Sequence, residues 1–223
     1  QNFLPLRSYS KLANPKVFLI TGGRGTGKTE LFHILTSCDG LRHVLSEGDK
    51  KRITDLQESR FIVGYSSESK KLPAQLACSR WIKGKTGEEI EVFWIGLACA
   101  VILQEFAEDE QISTLAKSYI GEELKDLFQC SSSDPSKWWP LADEKIADVE
   151  QFLNSLDDLL SERRLQIFLN YDELDRICGN YRELFDYIRQ LLNFWFVHNN
   201  RFSNIKAKIL VAFFFPRMEF SRK

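Results

Sequence analysis

Lys16-Val17-Phe18-Leu19-Ile20-Thr21-Gly22-Gly23-Arg24-Gly25-Thr26-Gly27-Lys28-Thr29 is the stretch from which the fold is read. Its first half is a nearly unbroken apolar run, the pattern of a strand covered on both faces in the parallel sheet of an α/β domain. From Lys28 onward, Leu31, Phe32, Ile34 and Leu35 keep a helical apolar face, and Asp39-Gly40 supplies a stop. Residues 22–29 therefore satisfy G-x-x-x-x-G-K-[ST] between a predicted strand and a predicted helix, the context that makes the string a structural statement. Gly22, Gly23, Gly25 and Gly27 permit backbone conformations closed to other residues, so that N–H groups of Arg24, Thr26 and the helix start turn inward around phosphates. Lys28 is expected to reach the β- and γ-phosphates, and the Thr29 hydroxyl to take one position on Mg²⁺. Glu30 closes the predicted nucleotide-binding stretch. The Arg24 side chain has two readings, contact with phosphate or a neighbouring subunit and a solvated loop arginine.

Outward from this stretch, residues 41–58 are charged and weakly patterned, whereas 60–65 read as a second short strand. Residues 72–106 read as helical with a break at 83–87, and 92–103, the most apolar run, is too short to span a bilayer and reads as a buried helix. Another helix is expected over 112–128. Residues 130–140, with Ser-Ser-Ser-Asp-Pro followed by Trp138-Trp139-Pro140, read as a surface loop or insertion boundary, with the tryptophan pair as a contact surface. An amphipathic helix over 143–160 leads to a buried strand at 165–171, a helix at 181–197 and a last apolar strand at 207–215. Strands separated by helices predict an α/β fold with a mostly parallel sheet between helical layers.

Mg²⁺ bound to phosphates needs a carboxylate at the tip of a neighbouring strand. The run Leu165-Gln166-Ile167-Phe168-Leu169-Asn170-Tyr171-Asp172-Glu173 offers one. Asp172 is the predicted magnesium partner, and Glu173 is placed to polarise an attacking water as general base.

The glycine-lysine string and the distant apolar strand ending in Asp172-Glu173-Leu174-Asp175-Arg176 together resemble the additional-strand, catalytic-glutamate P-loop ATPases. Within that group the chain looks closest to the AAA+, STAND and KAP-like predicted ATPases of bacteria. The resemblance implies a three-layer α/β/α fold, with 72–160 as a mainly helical insertion between the second strand and the Walker B strand. It further implies that the strand bearing Asp172 lies next to the strand at 207–215, which in turn adjoins the strand before the Walker A loop. The last strand of such folds ends in a polar sensor of the γ-phosphate; here Phe213-Phe214-Phe215-Pro216 fills that place, and Arg217 is the nearest substitute. Asp175 and Arg176 have two readings, a role near nucleotide or subunit neighbour and a surface helix charge pattern.

The composition supports one domain over residues 1–223, read as a fragment of a longer chain: 223 residues, 43% hydrophobic, suffice for one substantial core. Thirty basic against 31 acidic residues leave a formal charge of -1, with no global pull toward nucleic acid or anionic membrane. The five scattered cysteines show no Cys-x-x-Cys pair, which disfavours a disulfide framework or zinc site and fits a cytoplasmic location. His33, His43 and His198 read as core or partly buried histidines, and Trp94 and Trp195 as core. The expected activity is Mg²⁺-dependent ATP binding and hydrolysis coupled to a conformational or assembly switch, with a homo-oligomeric or other partner supplying an arginine. The alternatives are a nucleotide-binding switch with little hydrolysis and, third, a phosphotransferase. A GTPase is disfavoured because no Asn/Thr-Lys-x-Asp string follows Asp172.

Overall fold

The structure, a computed structural model, describes residues 11–12, 14–23, 25–37, 59–177 and 181–212. Along these residues run β1 (Leu19–Gly22), α1 (Lys28–Leu35), β2 (Ser59–Tyr65), α2 (Gln75–Ile82), α3 (Gly87–Glu105), α4 (Glu110–Ser131), α5 (Pro135–Glu144), α6 (Ile146–Glu162), β3 (Gln166–Tyr171), a short 3₁₀ turn (Leu174–Arg176), α7 (Tyr181–Arg201) and β4 (Ile205–Ala212). The strands form one parallel sheet in the order β1-β4-β3-β2. β4 thus lies between the strand before the glycine turn and the strand before Asp172, the adjacency expected above. Parallel neighbours need crossover connections, which the helices supply. The weakly patterned stretch 41–58 and residues 213–215 lie outside the described residues.

Alternation along β4 divides the core. Leu210 joins Leu31, Phe32 and Leu35 of α1 in one cluster, while Ile209 and Val211 belong to the larger cluster containing α3 and α7. Helices therefore cover both faces of the sheet, an arrangement compatible with three layers. Between β2 and β3, α2 to α6 make up the predicted helical segment. Every residue of α3 from Val92 to Leu103 is buried, so this stretch of the helix has no solvent face and belongs to the larger cluster. Among the described residues no helix is long and apolar enough to cross a membrane.

Residues 130–140 depart from the expected loop. α4 runs on to Ser131, and α5 begins at Pro135 with Asp134 as its N-cap, the Asp134 side chain accepting from Ser136 N at 3.3 Å. An acid followed by proline at the first helical position is a helix start, because that proline's missing N–H has no partner to lose there. Trp138 is completely buried against Phe93 and Phe128, and the half-buried Trp139 packs against Trp81 and under the Lys85 ammonium, so neither forms a free contact surface.

Buried polar groups pin β4 at the end remote from the glycine turn. The Asp157 carboxylate accepts from the backbone N–H groups of Ser203, Asn204 and Ile205 at 2.8, 2.7 and 2.9 Å, fixing where the strand starts. The Lys208 ammonium, fully buried, donates to the carbonyls of Asn14 and Val17 at 2.8 and 2.6 Å and so ties the segment ahead of β1 to β4; burial pushes its pKa down to about 7.

His198, on the inner face of α7, packs between Phe194 and Phe202, and burial lowers its imidazole pKa to about 4. The unfolded chain takes up this proton below about 6.5, so the folded state binds fewer protons between the two values. Its contribution is complete above about pH 6.5 and is lost as pH falls toward 4, with a slope up to about 1.4 kcal/mol per pH unit. Denaturant titrations between pH 4.5 and 7.5 are expected to show this slope flattened in His198→Phe; an unchanged slope would count against it. His33, by contrast, is exposed on α1 rather than partly buried, 3.8 Å from Glu68. His43 lies outside the described residues, and Trp94 and Trp195 are core residues as expected.

Candidate functional site

Because all strands are parallel, the C-terminal ends of β1 and β3 lie at one edge of the sheet, with β4 between them. The glycine turn leaves β1 there, and Gly25 and Gly27 both adopt φ near +80°, a conformation that strains any side-chain-bearing residue. Gly27 is the N-cap of α1 and, lacking a side chain, leaves the first N–H groups of that helix without a side-chain cap among the described residues. Lys28 folds back over the turn: its ammonium donates to Gly22 O at 3.0 Å, to Gly23 O at 2.6 Å and to Thr26 Oγ1 at 3.3 Å. Thr26 Oγ1 in turn donates to Gly23 O at 2.9 Å. Gly22, Gly23 and Thr26 thus brace the lysine.

Across from this turn, Asp172 N donates to Tyr65 O at 3.0 Å, continuing the β2–β3 pairing one residue past the strand. The Asp172 carboxyl is nearly buried, and among the described residues Oδ2 has no hydrogen-bond partner. Burial pushes its pKa above the ordinary carboxylate value, the Glu173 backbone N–H and the approaching Thr29 hydroxyl oppose the rise, and the charges of Glu173 and Asp175 add to it. A buried carboxylate in a negative neighbourhood, with an unpaired oxygen, is a receptor for a cation.

Glu173 follows in the left-handed region, φ 56° and ψ 27°, uncommon for a residue with a side chain. That reversal buries its carboxylate: Oε2 accepts from Ser67 Oγ at 2.6 Å and Ser66 Oγ at 3.3 Å, and Oε1 lies 2.5 Å from Arg176 Nη1.

These groups share a cavity of about 600 Å³, within the size range of small-molecule sites. Gly25, Gly27, Lys28 and Thr29 line one end with residues 172–176, while Leu184, Phe185, Ile188 and Leu192 of α7 and Leu19 of β1 form an apolar wall. The two predicted halves of the site therefore meet in one place. Glu30 is exposed on α1 and lies outside the lining, and Arg24 and Arg217 lie outside the described residues. Asp175 and Arg176, both exposed on the short 3₁₀ turn, line the cavity.

Ser66 and Ser67 escaped the sequence reading, because a serine pair just beyond β2 acquires meaning only once β2 is known to lie beside β3. The α7 wall escaped it too. The expected helix at 181–197 carries these apolar residues, but nothing in a helical period separates a face packed on the sheet from one facing a cavity. The Lys28, Thr29, Asp172 and Glu173 set can grip an anion, accept a cation beside it and offer a second carboxylate to a proton. Comparison with protein-family models, with curated proteins and with solved structures gives no match.

Proposed function

We propose that this chain binds a nucleoside triphosphate, ATP, together with Mg²⁺ and hydrolyses it, the cycle driving a conformational or assembly switch. The observation carrying this reading is the shared cavity: a lysine on a glycine turn at an uncapped helix N-terminus faces a buried acid with an unpaired oxygen. Amide N–H groups and Lys28 suit the phosphates. Asp172 and the Thr29 hydroxyl fit Mg²⁺, which would neutralise charge on the β- and γ-phosphate oxygens; one or two protein oxygens are the usual complement when phosphates complete the shell. Hydrolysis adds a water oxygen to the γ-phosphorus as the bond to the β-phosphate oxygen breaks. Glu173 takes the water's proton, and Lys28 with the turn amides stabilises charge on the transferred group. The finer fold assignment, a three-layer additional-strand P-loop domain of the AAA+, STAND or KAP-like kind, belongs to the same proposal, as does a partner subunit supplying an arginine.

One observation favours a second reading, a nucleotide-loaded switch with little turnover: both Glu173 oxygens are already engaged by Ser67 and Arg176. Steady-state phosphate release from wild type and Glu173→Gln separates the two. The ATPase reading expects a drop of about 10²- to 10³-fold with nucleotide affinity no weaker than that of wild type. A wild type that holds nucleotide yet turns over no faster than the variant would leave the switch reading.

A further inference from the structure

We infer that Arg176 is a second cationic ligand of the triphosphate, acting from within the same chain, and that its transfer to the terminal phosphate frees Glu173 Oε1 for the water. The inference rests on the nucleotide reading above and deepens it by assigning a residue that couples triphosphate arrival to release of the base.

The two oxygens of Glu173 are held differently. Oε2 is anchored by Ser67 Oγ at 2.6 Å, with Ser66 Oγ at 3.3 Å, on the segment that follows β2. Oε1 faces the Arg176 guanidinium at 2.5 Å, and Arg176 belongs to the short turn that folds straight back from Glu173, its backbone N–H donating to Glu173 O at 2.9 Å. The serines give the carboxylate its orientation, and the arginine occupies the one oxygen left over. The two partners also differ in surroundings. The Glu173 side chain is 6% exposed whereas that of Arg176 is 57% exposed, and both line the cavity that holds Lys28 and Thr29. Among the described residues no other hydrogen bond or ion pair holds the guanidinium, which is largely exposed where it lines the cavity.

A monodentate pair with one carboxylate is weak competition for a γ-phosphate, which carries more charge and several acceptor oxygens in a geometry a guanidinium matches. Exchange of partners satisfies Arg176 on the phosphate and leaves Glu173 anchored through Oε2 with Oε1 unblocked. A diphosphate lacks the group that drives the exchange, so Arg176 reads the γ-phosphate. Ser67 is the positioning residue: it keeps the carboxylate aimed after the arginine leaves.

The test measures the affinities of a β,γ-imido ATP analogue and of ADP, both with Mg²⁺, for wild type, Arg176→Ala, Arg176→Lys, Glu173→Gln and the Arg176→Ala/Glu173→Gln double variant, with circular dichroism to verify folding. Arg176→Ala is expected to weaken the triphosphate analogue about tenfold while ADP changes by less than about twofold, with Arg176→Lys falling between. Glu173→Gln, which loosens the hold on the arginine, is expected to tighten the triphosphate analogue only where Arg176 is present. An unchanged ratio of triphosphate to diphosphate affinity in a folded Arg176→Ala overturns the inference alone. Failure of the wild type to bind either nucleotide overturns the nucleotide reading and this inference with it.

Discussion

Replacing Lys28 with alanine is expected to lower affinity for an ATP analogue with Mg²⁺ by about 100-fold and to abolish measurable turnover. Two losses combine. The variant lacks the charge-assisted bonds to phosphate, and it lacks the ammonium that links Gly22 O, Gly23 O and Thr26 Oγ1 across the turn. The cradle that remains offers uncapped amides at the start of α1, so residual weak anion binding should persist. Lys28 is not part of either apolar cluster, and losing its largely exposed bonds across the turn should cost no more than about 1–2 kcal/mol of stability, so the variant should still fold. Isothermal titration together with denaturant melts checks both halves; an analogue affinity within about twofold of wild type would contradict the role given to this lysine.

Trp138→Ala is expected to cost about 3–5 kcal/mol of folding stability, the largest effect foreseen for any residue outside the cavity. The indole is fully buried, stacks 6.0 Å from Phe93, packs 5.6 Å from Phe128, and donates its N–H to Ser132 O at 3.4 Å. It also sits hard against Gly96 of α3, where an added Cβ would come within 2.4 Å of the ring, so that α3 and α5 approach each other only with glycine at this position. Removing the ring leaves a void that α3 cannot fill from this position. Trp139→Ala should cost less, since that ring is half-buried, although its N–H bonds Glu89 O and its face receives the Lys85 ammonium at 4.0 Å. Equal urea midpoints for the two variants would count against this account of the helical segment.

The contrast between these predictions follows what local sequence can carry. The glycine turn was legible because its residues are adjacent: an apolar run, glycines at positions 25 and 27 that take positive φ, and Lys28 opening a helix are all dictated within one short window. Asp172 stood out as a candidate only in company with that turn, since an acid that ends an apolar strand is otherwise just as often an ordinary helix N-terminus. That the two share a cavity followed from a nonlocal inference about strand order, which the pairing of β4 with both β1 and β3 supports. α5 was misread because Asp134-Pro135, which serves equally as a turn and as a helix N-cap with proline at N1, was read with the serines and Pro140 as turn chemistry, and burial of Trp138 goes with the helix. The clamp on Glu173 was not legible at all: it depends on a left-handed backbone at Glu173 and on serines from a neighbouring strand end, neither of which leaves a pattern in the chain.

The central claim is that a phosphate gripped by Lys28 and a metal held by Asp172 occupy one cavity, so magnesium and nucleotide must bind as a coupled pair. Its most direct test is calorimetric titration of wild type and Asp172→Asn with the β,γ-imido ATP analogue, each with and without Mg²⁺. Asparagine keeps the shape of Asp172 and removes its charge, which burial already disfavours, so the variant should fold. Magnesium is expected to strengthen analogue binding about tenfold or more in wild type and to have little effect in Asp172→Asn. Binding that ignores magnesium in wild type, a magnesium effect that survives intact in the variant, or no binding at all would contradict it.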